Sequence, residues 1–244
     1  MKKSIVIITL IIAFIFSSCS SNGGALSLYN KSNKLIESAG SVTIKSKAAA
    51  SLTTKGAILK ISTTSELNKI YDGEDIIAKG SVTYDSGGIS ILSELYYEDG
   101  VLYSNSMTMR IKYNKTKDDA LKSFITDSLK VERKNVKKSS IESSNEGKKI
   151  TFYLNSGPLQ KELDKFAKAI LTYTDLSEYD LKYSDAIYTI EIDNNNMPLR
   201  SKFEFKGKHN KNEFNYSMTS EFLSIGNTEI EKPDNLDVYF QNQN

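Results

Sequence analysis

The chain has 244 residues, 32 of them basic and 30 acidic, with 14 tyrosines, 10 phenylalanines, no tryptophan and one cysteine. A net charge of only +2 argues against a nucleic-acid partner, which demands a broad positive footprint. A single cysteine excludes any internal disulfide, so a folded domain of this chain must rest on a packed core.

The chain opens Met-Lys-Lys and continues as a nearly unbroken apolar run from Ile5 to Phe16. A positive start followed by about a dozen apolar residues describes a secretory signal, because a membrane span needs about 20. The run ends at Phe16-Ser17-Ser18-Cys19, which is similar to the bacterial lipobox: a large apolar residue, two small ones, then cysteine. Phe16 stands where leucine is usual. The resemblance implies that the Cys19 thiol takes a diacylglyceryl group by thioether linkage, with Ser17 and Ser18 giving the peptidase access to the preceding bond. An ordinary cleaved signal, or an uncleaved one, with Cys19 incidental, is the bland alternative. Two acyl chains hold a protein stably on a bilayer where one does not. Cleavage before Cys19 removes 18 residues and leaves 226, enough for a sizeable core. It also removes Lys2 and Lys3, balancing the mature chain at 30 basic and 30 acidic residues. The expected location is the cell membrane or outer membrane, lipid-anchored, with the domain outside the cytoplasm. Residues 19–25 read as the lipidated cysteine and a short flexible tether, and 26–244 as one domain.

Within that domain a helix is predicted from about Leu26 to Ala39, with Leu28, Tyr29, Leu35 and Ile36 on one stripe and Gly40 ending it. Strand-forming segments follow at about 41–54, 57–71, 75–84, 88–98 and 101–113, separated by Lys55-Gly56, Asp72-Gly73, Gly87-Gly88 and Asp99-Gly100. Asp-Gly is the clearest hairpin signal, because both residues accept positive φ. A helix over 117–130 gathers Leu121, Phe124, Ile125 and Leu129; another over 158–171 gathers Leu159, Leu163, Phe166, Ala167, Ile170 and Leu171. Strands at about 134–143 and 148–155 lie between these helices. Alternating Tyr188, Ile190 and Ile192 open the final meander, which continues through Leu199, Phe203, Phe205, Phe214, Tyr216 and Met218. Short connections dictate antiparallel order. The expected fold is α+β: a large curved antiparallel sheet, an incomplete β-barrel, with about three helices covering its concave face.

The hairpin Tyr96-Tyr97-Glu98-Asp99-Gly100-Val101-Leu102-Tyr103 and the turn from Ile192-Asp193 to Met197-Pro198-Leu199 are similar to those of uncharacterised bacterial lipoproteins with the LolA-like fold. The element order resembles that group over nearly the whole mature chain. The resemblance implies a fold that holds acyl chains or other apolar groups between sheet and helices. It transfers no functional residue.

Signals for catalysis are sparse. His209 is the only histidine and lies in a polar turn, so neither a metal set nor a serine nucleophile with its base can be assembled. Asp118-Asp119 suits a helix N-terminus, and Asp193 with Asn194, Asn195 and Asn196 lacks the spacing of a calcium loop. No cofactor, metal site or enzymatic activity is expected. The candidate ligand-binding residues are Met107, Met109, Ile111 and Tyr113, alternating on one strand face, with Phe124, Phe166 and Ile170 from the helices. The same residues equally describe plain core. Lys130, Arg133, Lys134, Lys137 and Lys138, with Lys148 and Lys149 nearby, form the densest basic stretch, fit for an anionic surface or for guarding a sheet edge. Two partners besides the membrane are expected in the alternative: an apolar ligand, lipid or acylated protein, or an envelope protein bound by a scaffold.

Overall fold

The computed structural model describes residues 22–54, 57–107, 109–126, 129–171 and 181–242; Cys19 and the signal lie outside them. Helix α1 (Asn22–Ser38) leads into β1 (Ser41–Thr54), β2 (Ala57–Asp72), β3 (Asp75–Ser86), β4 (Ile89–Glu98), β5 (Val101–Ser106) and β6 (Met109–Asn114). Then come α2 (Lys117–Ser123), β7 (Val136–Ser144), β8 (Gly147–Leu154), α3 (Ser156–Ile170), β9 (Lys182–Asp193), β10 (Pro198–His209), β11 (Asn212–Ile225) and β12 (Phe240–Gln241). The twelve strands of the described residues form one curved, unclosed sheet in the order β12-β6-β5-β4-β3-β2-β1-β11-β10-β9-β8-β7, with the helices on its concave face. Every pairing is antiparallel except β12 with β6. Among the described residues no helix is long and apolar enough to cross a membrane.

Period-two alternation orients the sheet. On β1, Ala48, Ala50 and Leu52 point into the core while Lys45, Lys47 and Ala49 point out. β1 joins the two halves of the sheet, pairing with β2 on one side and with β11 on the other. Ser46 and Ser220 share a buried hydrogen bond of 2.7 Å across that second pairing. The aromatic residues of β9, β10 and β11 make the densest packing: Phe203 lies 5.3 Å from both Phe166 of α3 and Phe205, and Phe205 stacks on Tyr216 at 4.8 Å.

Three expectations change. Helix α1 starts at Asn22 rather than Leu26, so residues 22–25 belong to a helix and Ala25 is fully buried, not part of a flexible tether. Helix α2 ends at Ser123 instead of 130, because the chain turns left-handed at Ile125 (φ 48°) and carries Phe124 and Ile125 into the core. A β-branched residue in that region is strained; here burial and a bond from the Ser65 hydroxyl to the Ile125 carbonyl (3.0 Å) hold it. The single strand expected over 101–113 is a hairpin, β5–β6, broken where Met107 adopts a φ of 53°. The tail after β11, for which the sequence pattern indicates no element, is a strap with a strand of its own.

That strap crosses the face of β3–β6 opposite the helices. Gly226 N–H bonds the Ser41 carbonyl (2.8 Å), Lys79 donates to the Glu231 carbonyl (2.9 Å), and Lys232 pairs with Glu98. Tyr239 stands edge-on to Tyr103 at 5.4 Å, and Tyr103 leans on Tyr96, which is buried despite lying on the outer face. Phe240 and Gln241 then pair with Ile111 and Lys112, covering the open edge of β6. A chain ending at Gly226 is expected to expose Tyr96, Tyr103 and this edge, and to self-associate as its concentration rises. Sedimentation velocity checks this; a truncated chain that stays monomeric counts against an edge-protecting role.

Candidate functional site

The buried apolar residues divide into two clusters. The main one fills the space beneath α2 and α3, while Ile36, Val42 and Ile44, with Tyr71, Phe222 and Ile225, form a smaller one at the C-terminal end of α1. Where they part, a cleft of about 1160 Å³ opens between the sheet and all three helices. Tyr29, Ile76, Leu129, Leu159 and Tyr188 line it from the main cluster, and Ile36, Val42, Ile44, Tyr71 and Phe222 from the smaller one.

Local structure explains how these side chains are held. Tyr29 of α1 donates to the Leu129 carbonyl (3.0 Å) and accepts from the Val131 N–H (3.4 Å), pinning the 129–131 segment beside the cleft. Its ring sits edge-on to Phe152 and Tyr188, each at 5.8 Å. Asn135 also lines the cleft, and its Oδ1 is buried with no hydrogen-bond partner among the described residues. Such an orphan acceptor is costly unless something donates to it.

The rim is charged and nearly balanced. Lys122 of α2 reaches Asp119 (3.5 Å) and Glu162 of α3 (3.5 Å), and Glu162 also takes Lys165 at 3.2 Å. Lys130 lies 3.8 Å from Asp118. Lys122 is largely buried, but the carboxylates Asp118, Asp119 and Glu162 are all open to solvent, so each pair contributes about 0–1 kcal/mol and the pairs close the cleft without locking it. Thr116 caps α2, accepting from the Asp119 N–H and donating to its carboxylate, and this bond with the nearby Lys122 holds the Asp119 carboxyl below its usual range. On the floor, burial and then Glu37 push the Tyr71 phenol up to about 12. A raised phenol pKa favours the folded state fully below the unfolded value near 10 and loses that contribution as pH rises toward 12. Wild type is therefore expected to lose stability more steeply than Y71F across this window, as read by denaturant melts; parallel curves would remove Tyr71 as the cause.

A second groove, of about 1070 Å³, lies on the other face of the sheet, floored by Ala49, Ser51, Ser62 and Ser217 and walled by Tyr153 and Ile187. Its floor is the outer surface of the strands.

None of the seven residues chosen from the sequence lines the helix–sheet cleft. Phe124, Phe166 and Ile170 are buried in the main cluster, and Tyr113 packs against its margin. Ile111 is half-buried beside Phe240 on β6, while Met107 and Met109 are 76% and 61% exposed at the β5–β6 turn. The break at Met107 takes that methionine out of the alternation. The lining residues missed, such as Val42, Ile44 and Phe222, carry only an ordinary strand pattern; what sets them apart is the splitting of the core, a tertiary property. Cys19 lies outside the described residues.

No protein-family profile and no curated protein matches the chain. Among solved structures it is similar to LprF from Mycobacterium bovis, at 9% identity, covering 87% of this chain and 97% of that one with a TM-score of 0.44. It is similar also to a DUF1329 family protein from Desulfovibrio piger, at 10% identity, 82% and 93% coverage and a TM-score of 0.31. A third likeness is to the ywiB protein from Bacillus subtilis, at 8% identity, 77% and 99% coverage and a TM-score of 0.22.

Proposed function

We propose that this protein is a lipid-anchored binding protein of the bacterial envelope, holding an apolar ligand such as a lipid or an acylated protein in the helix–sheet cleft. The observation that carries the reading is the parting of the core: a cleft with apolar residues of both clusters on its walls suits an apolar guest. The Asn135 amide oxygen offers one fixed polar contact, and the weak rim pairs let the helices yield as a ligand enters. The role is binding rather than catalysis. The cleft lining contains neither histidine nor cysteine, and the rim carboxylates Asp119 and Glu162 are engaged by lysines.

Native mass spectrometry of the full chain purified from membranes, followed by organic extraction, tests this. A releasable apolar mass beyond the acyl groups on Cys19 is expected. Its amount should fall in L159W, which places an indole where the cleft now opens, at an overpacking cost of about 1–3 kcal/mol that a thermal melt monitors. An empty protein that also ignores fluorescent fatty acids would overturn the reading.

A specific feature favours a second reading, an envelope interaction protein. Met109 and Phe240, the latter 78% exposed, stand beside half-buried Ile111 at the β6–β12 edge, apolar and uncovered by any described residue. Crosslinking from position 109 to an envelope protein, together with an empty cleft, would favour it.

A further inference from the structure

The point where the chain enters the fold coincides with its most basic surface. Asn22 opens α1 and its side chain accepts a bond from Ser139 of β7 at 3.0 Å, so α1 begins against β7 at the edge of the sheet. Beyond β7 no further strand pairs among the described residues. Lys137 and Lys138 precede this contact on the outer side of the β7 edge, both exposed: Lys137 lines the outer groove and Lys138 lies 6.0 Å over the Tyr153 ring. Gly23, Lys31 and Lys34 of α1 share with Arg133 the lining of a groove of about 810 Å³. Arg133, Lys137, Lys138, Lys31 and Lys34 take part in no ion pair among the described residues. The one acidic residue of the groove, Glu132, is held by Lys134 at 2.6 Å. Opposite charge gathers elsewhere: the strap carries Glu229, Glu231, Asp234 and Asp237 against a single Lys232. A chain whose mature charges balance is thus basic where it begins and acidic where it ends.

We infer that the basic rim wrapping the β7 edge, from Lys137 and Lys138 on its outer side to the exposed side of α1, lies against anionic lipid headgroups, fixing how the domain sits on its bilayer. This inference rests on the anchored reading. Cys19 precedes Asn22 by three residues, which reach at most about 11 Å when fully extended. Acyl chains on Cys19 therefore hold this surface within a Debye length or so of the headgroups, where clustered lysines and arginines act on anionic lipid. A basic patch beside a lipid anchor is a recurrent second membrane signal, and here it would also select an orientation. The strap, at the opposite end of the sheet from β7, then points away from the membrane.

The test uses the full lipidated chain reconstituted into vesicles of phosphatidylcholine alone or with about 30% phosphatidylglycerol, labelled with a water-soluble acetylating reagent and mapped by mass spectrometry. Lys31, Lys34, Lys137 and Lys138 are expected to be protected about fivefold on the anionic vesicles, with Lys115 and Lys232 unchanged. Protection should disappear at about 1 M salt, where the Debye length shrinks to about 3 Å. The double variant K137E/K138E, altered only at exposed positions, should lose it at low salt while still floating with the vesicles. Equal labelling on both vesicle types, or protection centred on the strap, overturns the inference and leaves the anchor standing. A chain that floats with neither vesicle type overturns the anchored reading and this inference with it.

Discussion

G80A is expected to destabilise the fold by at least about 3 kcal/mol, an unusually large loss for one methyl group. A Cβ at this position would lie 2.0 Å from the Glu66 carbonyl oxygen and 3.1 Å from the Leu67 Cα. Both are backbone atoms of β2, so no rotamer change relieves the contact. β3 must instead move away from β2, weakening the ladder in which Gly80 stands between Leu67 and Leu95. G207A makes the comparison. There the new methyl meets the Tyr183 ring at 2.8 Å, and a ring can tilt at a cost of about 1–2 kcal/mol. Denaturation midpoints of the two variants, at matched slopes, check the ordering; equal losses would mean that β2 and β3 separate easily.

F203A should cost about 3–5 kcal/mol, a large share of the 5–15 kcal/mol typical of a domain. Phe203 is fully buried and contacts rings from three directions: Phe166 of α3, Phe205 and Tyr188 within its half of the sheet, and Tyr216 across β11. Removing it leaves a cavity that four aromatic rings cannot fill without leaving their rotamers. Because Phe166 is the contact from α3, the loss should fall partly on that helix. Hydrogen exchange is expected to quicken in α3 together with β9 and β10, while β4 and β5 stay protected. F203L, which keeps most of the volume, should recover over half of the stability. Uniform exchange across the sheet would show that α3 is not held through this ring.

The meander was legible because its signals are local. Asp99-Gly100 and Gly87-Gly88 do turn with positive φ, and Tyr188, Ile190 and Ile192 face inward as their alternation predicts. Helix α3 follows its stripe to within two residues of the expected start. Failures came where tertiary contacts overrode a local pattern. Leu121, Phe124, Ile125 and Leu129 match a helical face, yet Ile125 satisfies its burial by a left-handed turn against Ser65. Met107 matches a strand and forms a turn. β12 has only two residues, too few for any periodicity, and owes its existence to the β6 edge beside it. The cleft was invisible for another reason. Val42 and Ile44 have the side chains of core residues, and only the gap between the two clusters distinguishes them.

The placement of β1 between β2 and β11 has a consequence for how such a chain matures. Ser46 meets Ser220 across 174 residues of sequence, so the seam at the centre of the sheet cannot zip until nearly all of the chain is free. The β1–β6 meander can form early from neighbouring contacts, but it then presents β1 as an unpaired edge until β11 arrives. Closing so long a loop is slow, and the waiting edge is open to wrong partners. A chain threaded across a membrane from its N-terminus would meet that delay on every passage: its first strand emerges early and waits for one of its last. The lysines at positions 45 and 47, which point outward from β1, stand on the strand exposed longest.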